Sequence, residues 1–427
     1  MKTHAIFAAV AMAICVGQAG AQGSPVVHLI PATGAQDMVF DAPREVIYIT
    51  SGTQVLRYSV ASGKFLSPIM LGGNLFGIDL SPDGTTLAVA DATSTSANSV
   101  VTVWVHLVSL PSLVDNEKTF IQEPQSDGGT WAVAYAGNGD LVVTGVIGCC
   151  GEIDSWYYTA LKKQWVGFSN YEGNDYSMAT ASGNGSQLDF AGNSIDDPSG
   201  SWSTFNALDK KWSETSLGTT LVRDIAGNAG NSQVALITSN NDTIVYTNGV
   251  NSGGSIQALD GAYDLVRPIA YFTQPNSSYV ISYKMDTLAQ RAVYDFNTTF
   301  TAGSSGTSFG GGRTRISLDG SLLMAIGNDG VHYLGLYAPL KAANVAATTQ
   351  AGQAIELTAA GSIGCPAVLK YLLPPKPAVQ PAHGTATING NVVTYVPDNG
   401  FTGTDSFTYQ AQYGRAFEDA TMTVTVQ

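Results

Sequence analysis

The sequence is short of cysteine, of histidine and of charge, and each shortage removes a class of protein. Four cysteines in 427 residues cannot supply a disulfide framework, and one of them, Cys15, falls in the apolar N-terminal run. Cys149, Cys150 and Cys365 remain beyond it. Five histidines without metal-ligand spacing give no zinc pattern, so neither a metal nor another cofactor is expected. Only 19 Lys and Arg face 33 Asp and Glu, the reverse of what nucleic acid requires. No apolar run is long enough to span a bilayer. The longest, Ala5 to Val16, follows Lys2 and ends at Ala19-Gly20-Ala21. That is the layout of a cleavable leader, so residues 1–21 are expected to be removed near Ala21. The product is expected to be secreted, periplasmic or at the cell surface, with no transmembrane segment.

Glycine, by contrast, is abundant at 47 residues, and only 12% of the chain is charged. Short strands joined by Gly, Asn, Asp and Ser turns produce such a composition. A unit recurs in which an apolar strand, a tight turn and a β-branched strand follow one another. Its clearest copy is Phe76-Gly-Ile-Asp-Leu-Ser-Pro-Asp-Gly-Thr-Thr-Leu-Ala-Val-Ala90. Other copies open near Asp37, Trp131, Tyr176, Val222, Val266 and Arg313, at spacings of 39 to 55 residues. A period near 45 residues with four short strands is that of a β-propeller. The seventh unit, Arg313 to Leu340, has room for about three strands. The orphan strand Val26-Val-His-Leu-Ile30 can supply the fourth and close the ring.

The repeat resembles the YVTN-type propeller family, whose Ser-Pro-Asp-Gly turn stands here at Ser81 to Gly84, and lacks the Gly-His and Trp-Asp marks of WD40 repeats. After an Ala-rich linker the texture changes. Pro381-Ala-His-Gly-Thr-Ala-Thr-Ile-Asn-Gly-Asn-Val-Val-Thr-Tyr-Val-Pro-Asp-Asn-Gly-Phe-Thr-Gly-Thr-Asp-Ser-Phe-Thr-Tyr409 is similar to the bacterial Ig-like, cadherin-like tandem family. That resemblance implies a spacer module of surface and secreted adhesins. The acidic stretch usual in that family is replaced by Gly361 to Lys370, which holds no carboxylate, so calcium is not expected there. Asp398 and Asp405 are read as turn-holding residues. The expected fold is all-β: residues 22–343 a seven-bladed propeller closed by an N-terminal strand, residues 344–427 an Ig-like β-sandwich.

Three arginines, Arg223, Arg267 and Arg313, fall at aligned positions of successive repeats, out of eight arginines in the chain. Converging on the central funnel they would suit a carboxylate or another anion. The alternative is that each pairs with a carboxylate such as Asp224 or Asp37 and ties blades together. Cys149 and Cys150, between two glycines, could close a vicinal disulfide; free thiols or a pairing with Cys365 stay open. His28 and His332 fall on strands of the closing blade and read as cross-strand packing, while His106 and His383 lack spaced partners. Trp156, Tyr157, Tyr158, Trp165, Trp202 and Trp212 are glycan-stacking or core residues. Gly306-Thr-Ser308-Phe-Gly310 fits a nucleophile pattern but has no helix after it. Asn184, Asn241, Asn276 and Asn297 open coincidental glycosylation patterns.

No catalytic residue is assigned. The chain is expected to be a non-catalytic scaffold for adhesion, recognition or assembly, with a glycan or protein ligand at the propeller face. The alternative is a propeller enzyme, a polysaccharide lyase or lactonase, with Tyr271 near Arg267 as a base.

Overall fold

The computed structural model describes residues 25–427 except 98–99, 111, 123–127, 146–154, 161–163, 168–174, 182–184, 194–199, 228–231, 254, 303–308, 365–368, 374–378 and 414. Among the described residues the chain is all β and contains no helix. The strands first build seven antiparallel sheets, each a path of four strands. Their innermost strands are Ala35–Asp41, Leu75–Leu80, Thr130–Tyr135, Asp175–Ala181, Val222–Gly227, Asp260–Tyr263 and Thr314–Ile316. The seventh sheet takes its outer strand from the start of the chain: His28–Ile30 runs antiparallel to Gly330–Gly335, with Leu29 opposite His332.

Turn chemistry sets the two inner strands of these sheets. In Ser81-Pro82-Asp83-Gly84 the Ser81 hydroxyl donates to Asp83 Oδ1 at 2.6 Å, and the Gly84 N–H closes on Ser81 O at 2.8 Å. Ser317 to Gly320 repeats both bonds at the same two distances. Gly84 and Gly320 take φ of +64° and +69°, which a side chain would strain. Asn241, Asn276 and Asn297, whose sequence contexts resemble glycosylation sites, all adopt positive φ, the first two beside or in turns and Asn297 within the strand Ala289–Phe300.

The sixth unit corrects the repeat register. Sequence opens it at Val266, yet its inner strand is Asp260–Tyr263, and Ile269–Thr273 is the second strand. Pro275-Asn276-Ser277 therefore joins the second and third strands. The inner strand here is Asp-Gly-Ala-Tyr, too small and too short to show as an apolar run beside the Ile269–Thr273 stretch.

Neighbouring sheets pack face to face through apolar layers. Tyr48, Val55, Leu75, Ile78, Leu87 and Val89 fill one, all fully or almost fully buried. Each such side chain stabilises the fold by about 1.5–3 kcal/mol relative to exposure. Backbone ties run alongside. Thr50 Oγ1 donates to Phe76 O at 2.6 Å and Thr273 Oγ1 to Gly312 O at 2.8 Å. Asp79 Oδ2 and Asp260 Oδ2 each accept an N–H of the following inner strand, from Tyr135 and Thr314, both at 2.8 Å.

The C-terminal sandwich pairs two sheets. One holds Val345–Thr349, Ala416–Val426, Gly403–Tyr413 and Lys370–Leu372; the other holds Ile355–Thr358, Val392–Pro397 and Gly384–Asn389. Leu357, Val393, Tyr395, Phe407, Met422 and Val424 form its core. Lys341–Ala342 already pairs with Gly361–Ser362, so this unit opens ahead of Asn344. Asp405, 3% exposed, accepts the N–H groups of Ala382 (3.0 Å) and His383 (2.8 Å) and the Tyr395 hydroxyl (3.0 Å). Burial pushes its carboxyl up, but these bonds outweigh burial and hold it below the usual range. Asp398 O accepts the Phe401 N–H at 3.1 Å and closes the adjoining turn.

Candidate functional site

The inner strands of all seven sheets line a central cavity of about 90 Å³. That is room for a few waters, against roughly 300 Å³ and upward for a small-molecule pocket. At the end where the inner strands begin, Arg313 is 4% exposed and held by three carboxylates from three other sheets. Its Nε donates to Asp37 Oδ1 at 3.0 Å; its Nη1 reaches Asp224 Oδ2 at 2.8 Å and Asp260 Oδ2 at 3.2 Å. Arg315 adds a two-pronged pair to Asp37, at 2.9 and 2.6 Å. Burial raises the Asp37 carboxyl, but the two guanidinium groups hold it below its ordinary value. Asp260 goes the other way: burial and the adjacent Asp224 charge push it well above the carboxylate range. Phe309 lies over Arg313, 5.3 Å from guanidinium to ring centre, and packs with Trp131 and Phe76.

The three arginines do not form one set. Arg223 stands at the same cluster, half-buried, with its Nε and Nη1 making no hydrogen bond among the described residues. Burial lowers its pKa while Asp224 and Asp260 oppose that. Arg267 sits at the opposite end of its strand, in the turn between Asp260–Tyr263 and Ile269–Thr273. There it pairs with Asp264 at 2.9 Å and stacks on Tyr337 at 3.6 Å. The displaced repeat register is what made it look equivalent. Tyr271, beside it in sequence, is fully buried, and burial pushes its phenol well above 10, which unfits it as a base.

The far end of the cavity is met by the C-terminal sandwich. Arg415, in the hairpin between Gly403–Tyr413 and Ala416–Val426, lines the cavity and reaches Asp79 Oδ2 at 3.4 Å. Phe417 lies against Gly84, where a Cβ would meet its ring at 2.7 Å. Leu340 N–H donates to Asp319 Oδ2 at 2.9 Å. The tail therefore docks against the turn face of the sheets.

A larger opening, about 740 Å³, lies on the flank between the second and third sheets. Asp83, Asn116, Lys118, Tyr135, Asn138 and Tyr158 contribute to its wall. Hydroxyl, amide and aromatic groups at such density suit a polyhydroxylated ligand.

His106 is the residue that sequence reasoning passed over. It is 1% exposed on Val100–Ser109, between Asp115 (Nδ1 to Oδ2, 2.7 Å) and Asp91 (Nε2 to Oδ2, 3.4 Å). Burial lowers its pKa, but the two carboxylates raise it to about 9. Asp115 is near in sequence; Asp91 is brought in by strand pairing, which no spacing shows. His28 lies opposite Tyr333 and His332 opposite Leu29, so the two histidines take opposite faces of the strand pair. His28 stacks on Tyr333, and His332 bonds Asp329 at 2.7 Å. Trp156, Tyr157 and Trp202 are core residues, 4–7% exposed. Residues 1–24, Cys149, Cys150, Cys365, Asn184 and Gly306 to Ser308 lie outside the described residues, as do the side chains of Trp165 and Trp212.

Fold and site together define an all-β, propeller-like protein with an Ig-like domain at its C-terminus. Residues 337–427 match the family model for the bacterial Ig domain. Hydrazine synthase of Kuenenia stuttgartiensis is similar in structure over 72% of this chain and 97% of its own, at 13% identity and a TM-score of 0.54. A chain of the mitotic checkpoint complex is similar over 79% of this chain and 97% of its own, at 12% identity and a TM-score of 0.54. Likeness at such identity concerns the fold alone. No curated protein matches the chain in sequence.

Proposed function

We propose that the chain is an exported, non-catalytic binding scaffold. In this reading residues 22–343 are a YVTN-type seven-bladed β-propeller closed by the N-terminal strand, and the Ig-like module serves adhesion or assembly at the cell surface. Seven successive sheets, each built on a path of four strands, with His28–Ile30 completing the last, support the closed ring, since that pairing removes an exposed edge. The observation that carries the scaffold reading is the occupation of Arg313 by Asp37, Asp224 and Asp260. A funnel that read an anion, or neutralised a uronate for a lyase, would keep that guanidinium open to its ligand. Here it is spent between sheets, in a cavity too small for a sugar.

The ligand-binding surface is then the flank groove beside Tyr158 and Asn116, and the ligand is a glycan. The test is calorimetric titration of the full chain with neutral and acidic glycans, beside a Tyr158→Ala/Asn116→Ala variant and Arg223→Ala. Binding without turnover is expected, lost in the groove variant and kept in Arg223→Ala. Binding that survives the groove variant but disappears in Arg223→Ala returns the site to the channel. Release of unsaturated uronate, read by absorbance, makes the protein a lyase and overturns the scaffold reading.

A further inference from the structure

We propose that His106, Asp115 and Glu117 form a binding site for one divalent transition-metal ion, Zn²⁺ foremost, with Asp91 as its supporting carboxylate. One ligand atom from each of the three residues lies within 4.8 Å of the other two. His106 Nδ1 is 2.7 Å from Asp115 Oδ2 and 3.9 Å from Glu117 Oε2. Ligands bound at about 2.0–2.2 Å in a tetrahedron stand roughly 3.3–3.6 Å apart. The two separations from Nδ1 bracket that range, and the carboxylates, within 4.8 Å of the other ligand atoms, close on the ion by about 1 Å.

The ring is already oriented for the task. Its Nε2 faces Asp91 Oδ2 at 3.4 Å, and Asp91 is fixed in turn by Trp104 Nε1 (2.9 Å) and by the N–H groups of Asn74 and Thr93 (both 2.9 Å). At neutral pH both ring nitrogens carry protons, so a bound ion displaces the Nδ1 proton now held by Asp115, while Asp91 keeps the Nε2–H and fixes the ring. The second observation concerns Asp115, whose side chain is 27% exposed: its Oδ2 bonds His106, while its Oδ1 is shielded from solvent and has no hydrogen-bond partner among the described residues. A buried carboxylate oxygen without a donor is costly, and a cation satisfies it. One imidazole with two carboxylates suits zinc or manganese better than the hard, all-oxygen-seeking Ca²⁺.

The segment that carries Asp115 and Glu117 also carries Asn116 and Lys118 to the flank groove. An ion at His106 would pin this segment to Val100–Ser109 from the opposite side. The metal site does not depend on the glycan reading, because its test contains no glycan.

The full chain, stripped with chelator, is titrated with Zn²⁺ by calorimetry and with Co²⁺ by visible absorption. One equivalent is expected, with Co²⁺ giving ligand-field bands. Affinity should fall at least tenfold in Asp115→Asn and in Glu117→Gln, and about 10–100-fold in Asp91→Asn. Glu117 is exposed, so Glu117→Gln keeps the fold even where a His106 variant would not, and far-ultraviolet circular dichroism checks it. No binding by the parent protein overturns the proposal. So does Zn²⁺ binding of equal affinity in Asp115→Asn and Glu117→Gln, since the ion then sits elsewhere.

Discussion

The sheets that carry Asp37, Asp224, Asp260 and Arg313 meet around a buried guanidinium, whereas the sheets between them meet through small apolar contacts. In the second group Ala132, Ala134, Met178, Ala179, Leu188 and Phe190 pack without an inner-strand cation. Among its buried carboxylates, Asp189 on Gln187–Asn193 is 1% exposed and is bonded by the neutral Gln187 and Trp202 side chains. Burial raises it to about 6. Two carboxylates at similar depth thus carry opposite shifts, Asp37 downward and Asp189 upward, because one faces arginines and the other does not. The lesson is that the cations facing a buried carboxylate decide the sign of its shift: Asp37 faces two guanidinium groups and is lowered, whereas Asp260, which shares Arg313 with Asp224, and Asp189, bonded by neutral side chains, are raised.

The largest effect expected from breaking that contrast is at Arg313. Arg313→Met leaves Asp224 and Asp260 without the guanidinium that bonds them and Asp37 with Arg315 alone, and should cost about 3–5 kcal/mol in urea unfolding. Next comes Asp189→Asn, with the opposite sign. At pH 8 it removes an uncompensated buried charge and should stabilise by about 1–3 kcal/mol. The same residue sets a pH dependence. Its folded pKa lies above the unfolded value, so the folded state takes up a proton first and stability rises as pH falls from about 7 through 6 to the unfolded carboxylate pKa near 4. Asp260, raised by burial and Asp224, adds to this rise. Asp37, lowered, contributes fully above the unfolded carboxylate pKa and loses its contribution as pH drops below about 4. A stability–pH curve with a maximum between those limits is expected, and Asp189→Asn should flatten its neutral side.

A smaller effect sharpens the contrast at the other end of the cavity. Arg415→Ala removes one long, largely buried pair with Asp79 and some packing, worth about 1 kcal/mol. Limited proteolysis should then release the tail sooner while the sheets keep their midpoint. Within the Ig-like domain, the Tyr409 hydroxyl sits among the backbone groups of Ala343 and Ala360, accepting their N–H at 3.2 and 3.3 Å. Tyr409→Phe should cost about 1–2 kcal/mol, read as a lowered unfolding midpoint of that domain.

Much of the architecture was legible because turn chemistry is local. Ser81-Pro82-Asp83-Gly84 and Leu318-Asp319-Gly320 announce strand pairs, and Pro381 to Tyr409 carries the alternation of a sandwich. What failed was whatever depended on register or on distant pairing. Asp260–Tyr263 is hidden beside a stronger apolar run, and that slip placed Arg267 with Arg223 and Arg313. The partners Asp37 and Asp224 were legible as carboxylates beside the arginine positions; that a single guanidinium, Arg313, would take both, with Asp260, was not. His106 read as solitary because Asp91 reaches it only through the pairing of Thr86–Asp91 with Val100–Ser109.

The most direct test of the account is equilibrium unfolding of Arg313→Met beside the parent protein in urea at pH 7. A loss of about 3–5 kcal/mol with an unchanged urea slope is the expected result, and it would establish Arg313 as the clasp of the inner strands. A loss below about 1 kcal/mol, within the range of a solvent-exposed pair, would contradict it and reopen the channel to a ligand.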